Sequence, residues 1–117
     1  MDQKPKKYDL EDRTKIFALS VRDYIKLLPK SVSNLEYGKQ LIRSSGSVAA
    51  NYIEANESLG DKDFKMRIRI SRKEAKESRL WLELTEPTEQ NSPFQQRLIQ
   101  ESFELIKIFS SILKNSL

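Results

Sequence analysis

The chain has 117 residues, carries a formal charge of +4 from 21 Lys and Arg against 17 Asp and Glu, and contains neither histidine nor cysteine. Without His it has no ordinary general base near neutral pH, no Ser-His-Asp or Cys-His triad, and none of the imidazole ligands on which most catalytic zinc, haem and non-haem iron sites depend. Without Cys it has no disulfide framework, zinc finger or iron–sulfur site.

This length predicts a single domain over residues 1–117. Apolar residues at 38% and charged residues at 32% suit helices that each bury one stripe. Three glycines and four prolines argue against an all-β fold rich in tight turns. The opening MDQKPKKYDLEDR has no apolar stretch after its charges, and no run approaches the roughly 18 apolar residues of a membrane span. The expectation is a cytoplasmic protein with no membrane partner.

Breakers divide the chain into four periodic stretches. The first is predicted over 10 to 28, where Phe17, Val21, Tyr24 and Leu28 recur at helical spacing and Pro29 stops it. The second is predicted to start with a capping box, Ser33 with Glu36, and to run to about 58, with Gly60 offering a left-handed end. Asp61 is the expected N-cap of a third helix over 62 to 85. The segment EPTEQNSP, with two prolines and no apolar residue, reads as a loop. Ser92, Pro93 and Gln95 then supply N-cap, first-turn proline and capping-box partner to a fourth helix. Short loops between long helices predict an all-α, antiparallel, up-down-up-down four-helix bundle.

On the second helix Leu41, Ile42, Ser45, Val48, Ala49, Tyr52 and Ile53 share an arc with Gly38 and Gly46, and Gly46 is expected to mark a tight crossing. Arg43, Ser47, Asn51 and Glu54 occupy the opposite side. The third helix has a core stripe of Phe64, Ile68, Ser71, Ala75, Ser78 and Leu82. It also carries a second strip of Met66, Ile70, Trp81 and Leu84, with Glu74 and Glu77 beside it. Two stripes on one helix, and the broad apolar arc of the fourth (Leu98, Ile99, Phe103, Leu105, Ile106, Phe109, Ile112, Leu113), suggest burial against another subunit. Trp81 as a wide core residue is the competing reading.

Lys62, Lys65, Arg69, Arg72, Lys76 and Arg79 recur at spacings of three and four, which places all six within one arc about 26 Å long. Between Lys62 and Arg79 eight basic residues face three acidic ones, a charge of +5 on a chain whose total is +4. Like charges at i and i+4 repel by a few tenths of a kcal/mol per pair. That cost is offset by nucleic-acid phosphates, by an acidic protein partner, or by solvent and nearby carboxylates on a plain surface. No aromatic residue interleaves with the stripe in sequence, which favours backbone contacts over single-strand stacking.

The runs YGKQLIRSSGSVAANYIEANES and DFKMRIRISRKEAKESRLWLEL, with IFALSVRDYIKLLPKS before them and the closing amphipathic helix after, cover nearly the whole chain. They resemble the bacterial four helix bundle protein family, also called the large-subunit (23S) ribosomal RNA intervening-sequence protein family. The most specific parts are Ser47, Val48, Asn51 and Glu54, and Lys73 to Ser78 with Trp81 and Leu82. The resemblance implies an antiparallel bundle assembling as a ring-like homo-oligomer, typically a pentamer. Members are encoded within intervening sequences of large-subunit ribosomal RNA genes, and a related branch, the retroelement accessory variability determinants, assists a reverse transcriptase. It also implies that Arg43, Asn51, Glu54, Glu74 and Glu77 form a polar signature, with ion pairs inside the bundle or across the ring.

Carboxylate pairs such as Glu54 with Glu57 or Glu74 with Glu77 have the i, i+3 spacing of di-iron bundles, which also need a histidine this chain does not have. No nucleophile elbow or phosphate-cradling glycine loop is present. The expectation is therefore a non-enzyme without cofactor or metal. It binds itself and RNA or a nucleoprotein through the basic stripe, or else serves as a protein-only scaffold or accessory subunit.

Overall fold

A computed structural model describes residues 9–115 and, among these, every regular element is helical: α1 (Leu10–Lys26), α2 (Val32–Asn56), α3 (Asp61–Leu84) and α4 (Ser92–Asn115), with a single 3-10 turn, Glu89–Asn91, ahead of α4. The opening stretch read for a leader lies, up to Tyr8, outside the described residues. Packing closes a circuit in which α1 meets α2, α2 meets α3, α3 meets α4, and α4 returns to α1, the arrangement of a four-helix bundle.

α1 starts where predicted, with Asp9 capping it by accepting from the Asp12 amide at 2.9 Å. The predicted caps of the other helices are corrected. For α2 the cap is Ser31, not Ser33: its hydroxyl accepts from the Asn34 amide at 3.1 Å. Gly60 is not left-handed; with φ −148 it is extended and stands as the N-cap of α3, so Asp61 is the first helical residue. Before α4, Thr88 caps the 3-10 turn by accepting from the Asn91 amide. Gln95 does not reach back to its own helix start. It is buried and donates through Nε2 to the carbonyls of Leu82 (2.8 Å) and Thr85 (3.0 Å), holding the end of α3.

The core repeats every seventh residue: Leu41, Val48 and Ala55 on α2, Ile68, Ala75 and Leu82 on α3, Leu98 and Leu105 on α4. Between these aliphatic layers lie buried hydroxyls rather than a second set of large apolar side chains. Ser44 and Ser78 share a hydrogen bond of 2.8 Å, and Ser71 donates to the Val48 carbonyl at 3.1 Å. Small side chains at these layers let α2 and α3 approach closely, and each hydroxyl finds a partner, as burial requires. Among the described residues no buried side-chain nitrogen or oxygen lacks a hydrogen bond.

One end of the bundle is tied by polar groups. The buried Tyr24 hydroxyl meets Thr85 Oγ1 at 2.8 Å, and Thr85 donates to the Leu82 carbonyl at 2.7 Å. Asn34, only 5% exposed, joins two connections at once. Its Nδ2 donates to Pro29 O (2.9 Å) and Glu86 O (3.0 Å), and its Oδ1 accepts from the Glu86 amide (2.9 Å). Near the other end Arg13 donates from Nε and Nη2 to the two carboxylate oxygens of Glu101, at 2.7 and 2.9 Å, a bidentate link between α1 and α4.

The two helical glycines differ. A Cβ on Gly38 would lie 3.6 Å from Ile25 Cγ2, ordinary contact at the α1–α2 seam. A Cβ on Gly46 would meet nothing within 4 Å, so the expected tight crossing does not occur within the chain.

Candidate nucleic-acid interface

The helical wheel of α3 turns its core stripe (Ile68, Ser71, Ala75, Ser78, Leu82) inward and sends the cations toward α4 and solvent. The six residues of the stripe divide into two groups. Lys65 pairs with Asp61 at 3.2 Å, its side chain only 18% exposed. Arg72 donates to Ser110 Oγ of α4 at 3.2 Å. Arg79 donates to Glu83 at 3.4 Å, and its guanidinium lies 5.2 Å from the centre of the Phe103 ring. In contrast Lys62, Arg69 and Lys76 are exposed and have no hydrogen-bond or ion-pair partner among the described residues. Intramolecular partners, two carboxylates and the neutral Ser110 hydroxyl, therefore reach the flank of the stripe nearer the core and leave its outer line free.

Two contiguous grooves run along this edge. One, of about 350 Å³, is lined by Arg69, Arg72, Lys73, Lys76, Glu77 and Leu80. The next, of about 370 Å³, shares Lys76 and Leu80 and adds Arg79, Glu83, Phe103 and Ile106. Phe103 is 40% exposed, and the ammonium of Lys107 lies 5.1 Å from its ring centre. An aromatic ring thus does lie among the cations, contrary to the pattern along α3, because α4 supplies it. The signal was present only as an apolar residue on the outer margin of the α4 arc.

Of the polar-signature residues, Asn51, Arg43 and Glu74 lie along the seam between α2 and α3, in two groups, while Glu77 also lines the first basic groove. Asn51 donates to the Ser47 carbonyl and hydroxyl, both at 3.0 Å, and accepts from Arg67 Nη1 at 3.0 Å. Arg67 thus completes a contact that α2 alone does not reveal. Glu74 is the second centre: burial pushes its carboxyl above the usual range and Glu77 raises it further, while Lys73 and Arg43 pull it down. Arg43 also donates to Gln40 at 3.2 Å. Glu54 stands apart and exposed. Trp81 stacks on Tyr37 of α2, ring centres 5.8 Å apart, and packs against the core, so the wide-core reading describes it within the chain. Met66 and Leu84 of the same strip remain exposed.

A third concavity, about 470 Å³, lies between α1 and α2, where Ile25, Leu28, Leu35 and Ile42 are rimmed by Lys26, Lys30 and Lys39. Among the described residues no cluster of three or more acidic side chains is arranged to hold a metal ion, and no helix is long and apolar enough to cross a membrane.

No curated protein matches the chain. A solved structure similar to it is a protein of unknown function from the S23 ribosomal protein family of Bacteroides thetaiotaomicron. It is 31% identical, with a TM-score of 0.77, over 89% of this chain and 97% of that one. The family model of the 23S rRNA-intervening sequence protein matches residues 6–111. With its four-helix architecture and a match that spans almost its whole length, the chain belongs to the 23S rRNA-intervening sequence protein family.

Proposed function

We propose that this protein is a non-catalytic, cytoplasmic, antiparallel bundle that assembles as a ring-like homo-oligomer, with five copies favoured, and binds RNA through the basic edge of α3. The observation that carries the reading is the free outer line of that edge. Lys62, Arg69 and Lys76 stay exposed without internal partners on a helix segment whose charge exceeds that of the entire chain. A polyanion relieves that repulsion by replacing condensed counterions, which makes binding steeply salt-dependent. Filter binding against structured RNA at low salt tests it. Reversal of Arg69, Arg72 and Lys76 to Glu abolishes retention. No association of the unmodified protein, or an affinity that survives the reversal, refutes the reading.

A second reading, a protein-only scaffold or accessory subunit, draws on the apolar surface. Leu35, Ile42 and Ile53 on α2, and Met66, Leu80 and Leu84 on α3, are each at least two-fifths exposed. Burial of these two strips against neighbouring copies would supply the ring. Sedimentation decides the assembly: a stable 13.7 kDa monomer at micromolar concentration rules it out.

A further inference from the structure

The cation edge carries one feature that phosphate binding does not require, the exposed Phe103 ring in the groove between α3 and α4. We propose that this edge takes unpaired rather than duplex RNA, with one base stacked on Phe103 and its flanking phosphates on Arg69, Lys76 and Arg79. The proposal rests on the RNA-binding reading above and specifies its substrate.

Three observations support it. First, Phe103 is 40% exposed although α4 has buried positions for Leu98, Leu105 and Phe109, and the exposed part opens into a groove of about 370 Å³. Second, the ring is covered only by mobile-ended cations, the Arg79 guanidinium at 5.2 Å and the Lys107 ammonium at 5.1 Å. A cation over an exposed ring gains less than a base stacked there, so an arriving base displaces a cation, which then becomes available to phosphate. Third, charge is graded along the edge. The first groove sets four cations, Arg69, Arg72, Lys73 and Lys76, against Glu77, while the Phe103 groove sets only Lys76 and Arg79 against Glu83, which is paired with Arg79 at 3.4 Å. A carboxylate repels phosphate but accepts from the N–H groups of unpaired bases, the exocyclic amines and the N3–H of uracil alike. That gradient places phosphates at the Arg69–Lys76 end and a base at the Phe103–Glu83 end. Duplex bases are already stacked on each other and cannot enter a ring site recessed between two helices, so a duplex engages the cations alone.

The test compares fluorescein-labelled oligo(U), long enough to span the stripe, with a blunt RNA duplex of equal length, by anisotropy at low salt. Phe103→Leu weakens oligo(U) about tenfold and leaves the duplex unchanged. Phe103→Trp retains oligo(U) affinity, and its added fluorescence, measured against the background of Trp81, is quenched on binding. Circular dichroism verifies that each variant is folded. If Phe103→Leu changes neither affinity, or weakens both ligands equally, stacking is refuted. Reversal of Arg69, Arg72 and Lys76 separates the two claims. Loss of both ligands on reversal, with Phe103→Leu harmless, leaves RNA binding standing and removes the stacked base. If the unmodified protein binds neither RNA, or binds poly(Glu) as tightly as oligo(U), both claims fall.

Discussion

Asn34 is the most economical place to test how the bundle is held. Asn34→Asp preserves shape and keeps an acceptor for the Glu86 amide, but removes both donors, those to Pro29 O and Glu86 O. Each orphaned carbonyl costs about 1 kcal/mol at the low end of the range, since Pro29 and Glu86 lie near solvent and water recovers part of the loss. A carboxylate held 3 Å from two carbonyl oxygens at a site 5% exposed adds a desolvation and repulsion cost of similar size. The expected loss near neutral pH is about 3 kcal/mol, or roughly 12 °C in Tm for a domain of this size. Its pH dependence is the sharper prediction. The site raises the pKa of the introduced carboxyl, so the folded protein binds that proton more tightly than the unfolded chain. The contribution of such a group is present below the unfolded pKa and is lost as pH rises through the folded pKa. On acidification the group becomes neutral, regains one O–H donor, and the gap from the unmodified protein narrows. Thermal melts by circular dichroism at fixed protein concentration, near neutral and near pH 4.5, measure both. A loss under about 1 kcal/mol at neutral pH, or a gap that widens in acid, would show that Asn34 does not tie the two connections as described.

Two further outcomes follow from the same packing. Gly46→Ala adds a methyl where nothing lies within 4 Å and removes a helix-interior glycine, so the protein gains about 1 kcal/mol in melts; a lower Tm together with loss of assembly in sedimentation would instead place a neighbouring subunit at Gly46. Glu74→Gln raises stability near neutral pH, because burial and Glu77 penalise the charged carboxyl, and the gain disappears as pH falls and Glu74 takes up its proton. A loss near neutral pH would mean that Arg43 and Lys73 stabilise the charged form by more than burial costs it.

The helices were readable from the sequence because periodicity and punctuation agree: Phe17, Val21 and Tyr24 recur before Pro29, and Ile68, Ala75 and Leu82 keep a seven-residue step through a charged segment. The caps were misread for a physical reason. Ser31 and Ser33 both stand at the entry to α2, and the choice is made by Asn34, whose side chain must face Pro29 and Glu86, and by Thr85, Gln95 and Tyr24, whose buried bonds cross between helices. Such partners lie up to 61 residues apart, beyond any local pattern. The basic stripe was legible as an arc on α3. Which of its cations are free was not, because Ser110 and Phe103 reach them from α4.

The hydroxyl layers between α2 and α3 have a practical consequence for anyone handling the protein. Ser44, Ser71 and Ser78 hold the seam with neutral hydrogen bonds and aliphatic packing, which dissolved ions hardly screen. Arg69 and Lys76, by contrast, hold phosphate through charges that salt screens within a Debye length of about 3 Å at 1 M. A concentrated salt wash should therefore strip any co-purified polyanion from the surface while the fold stays intact, which yields bare protein for every binding titration described above.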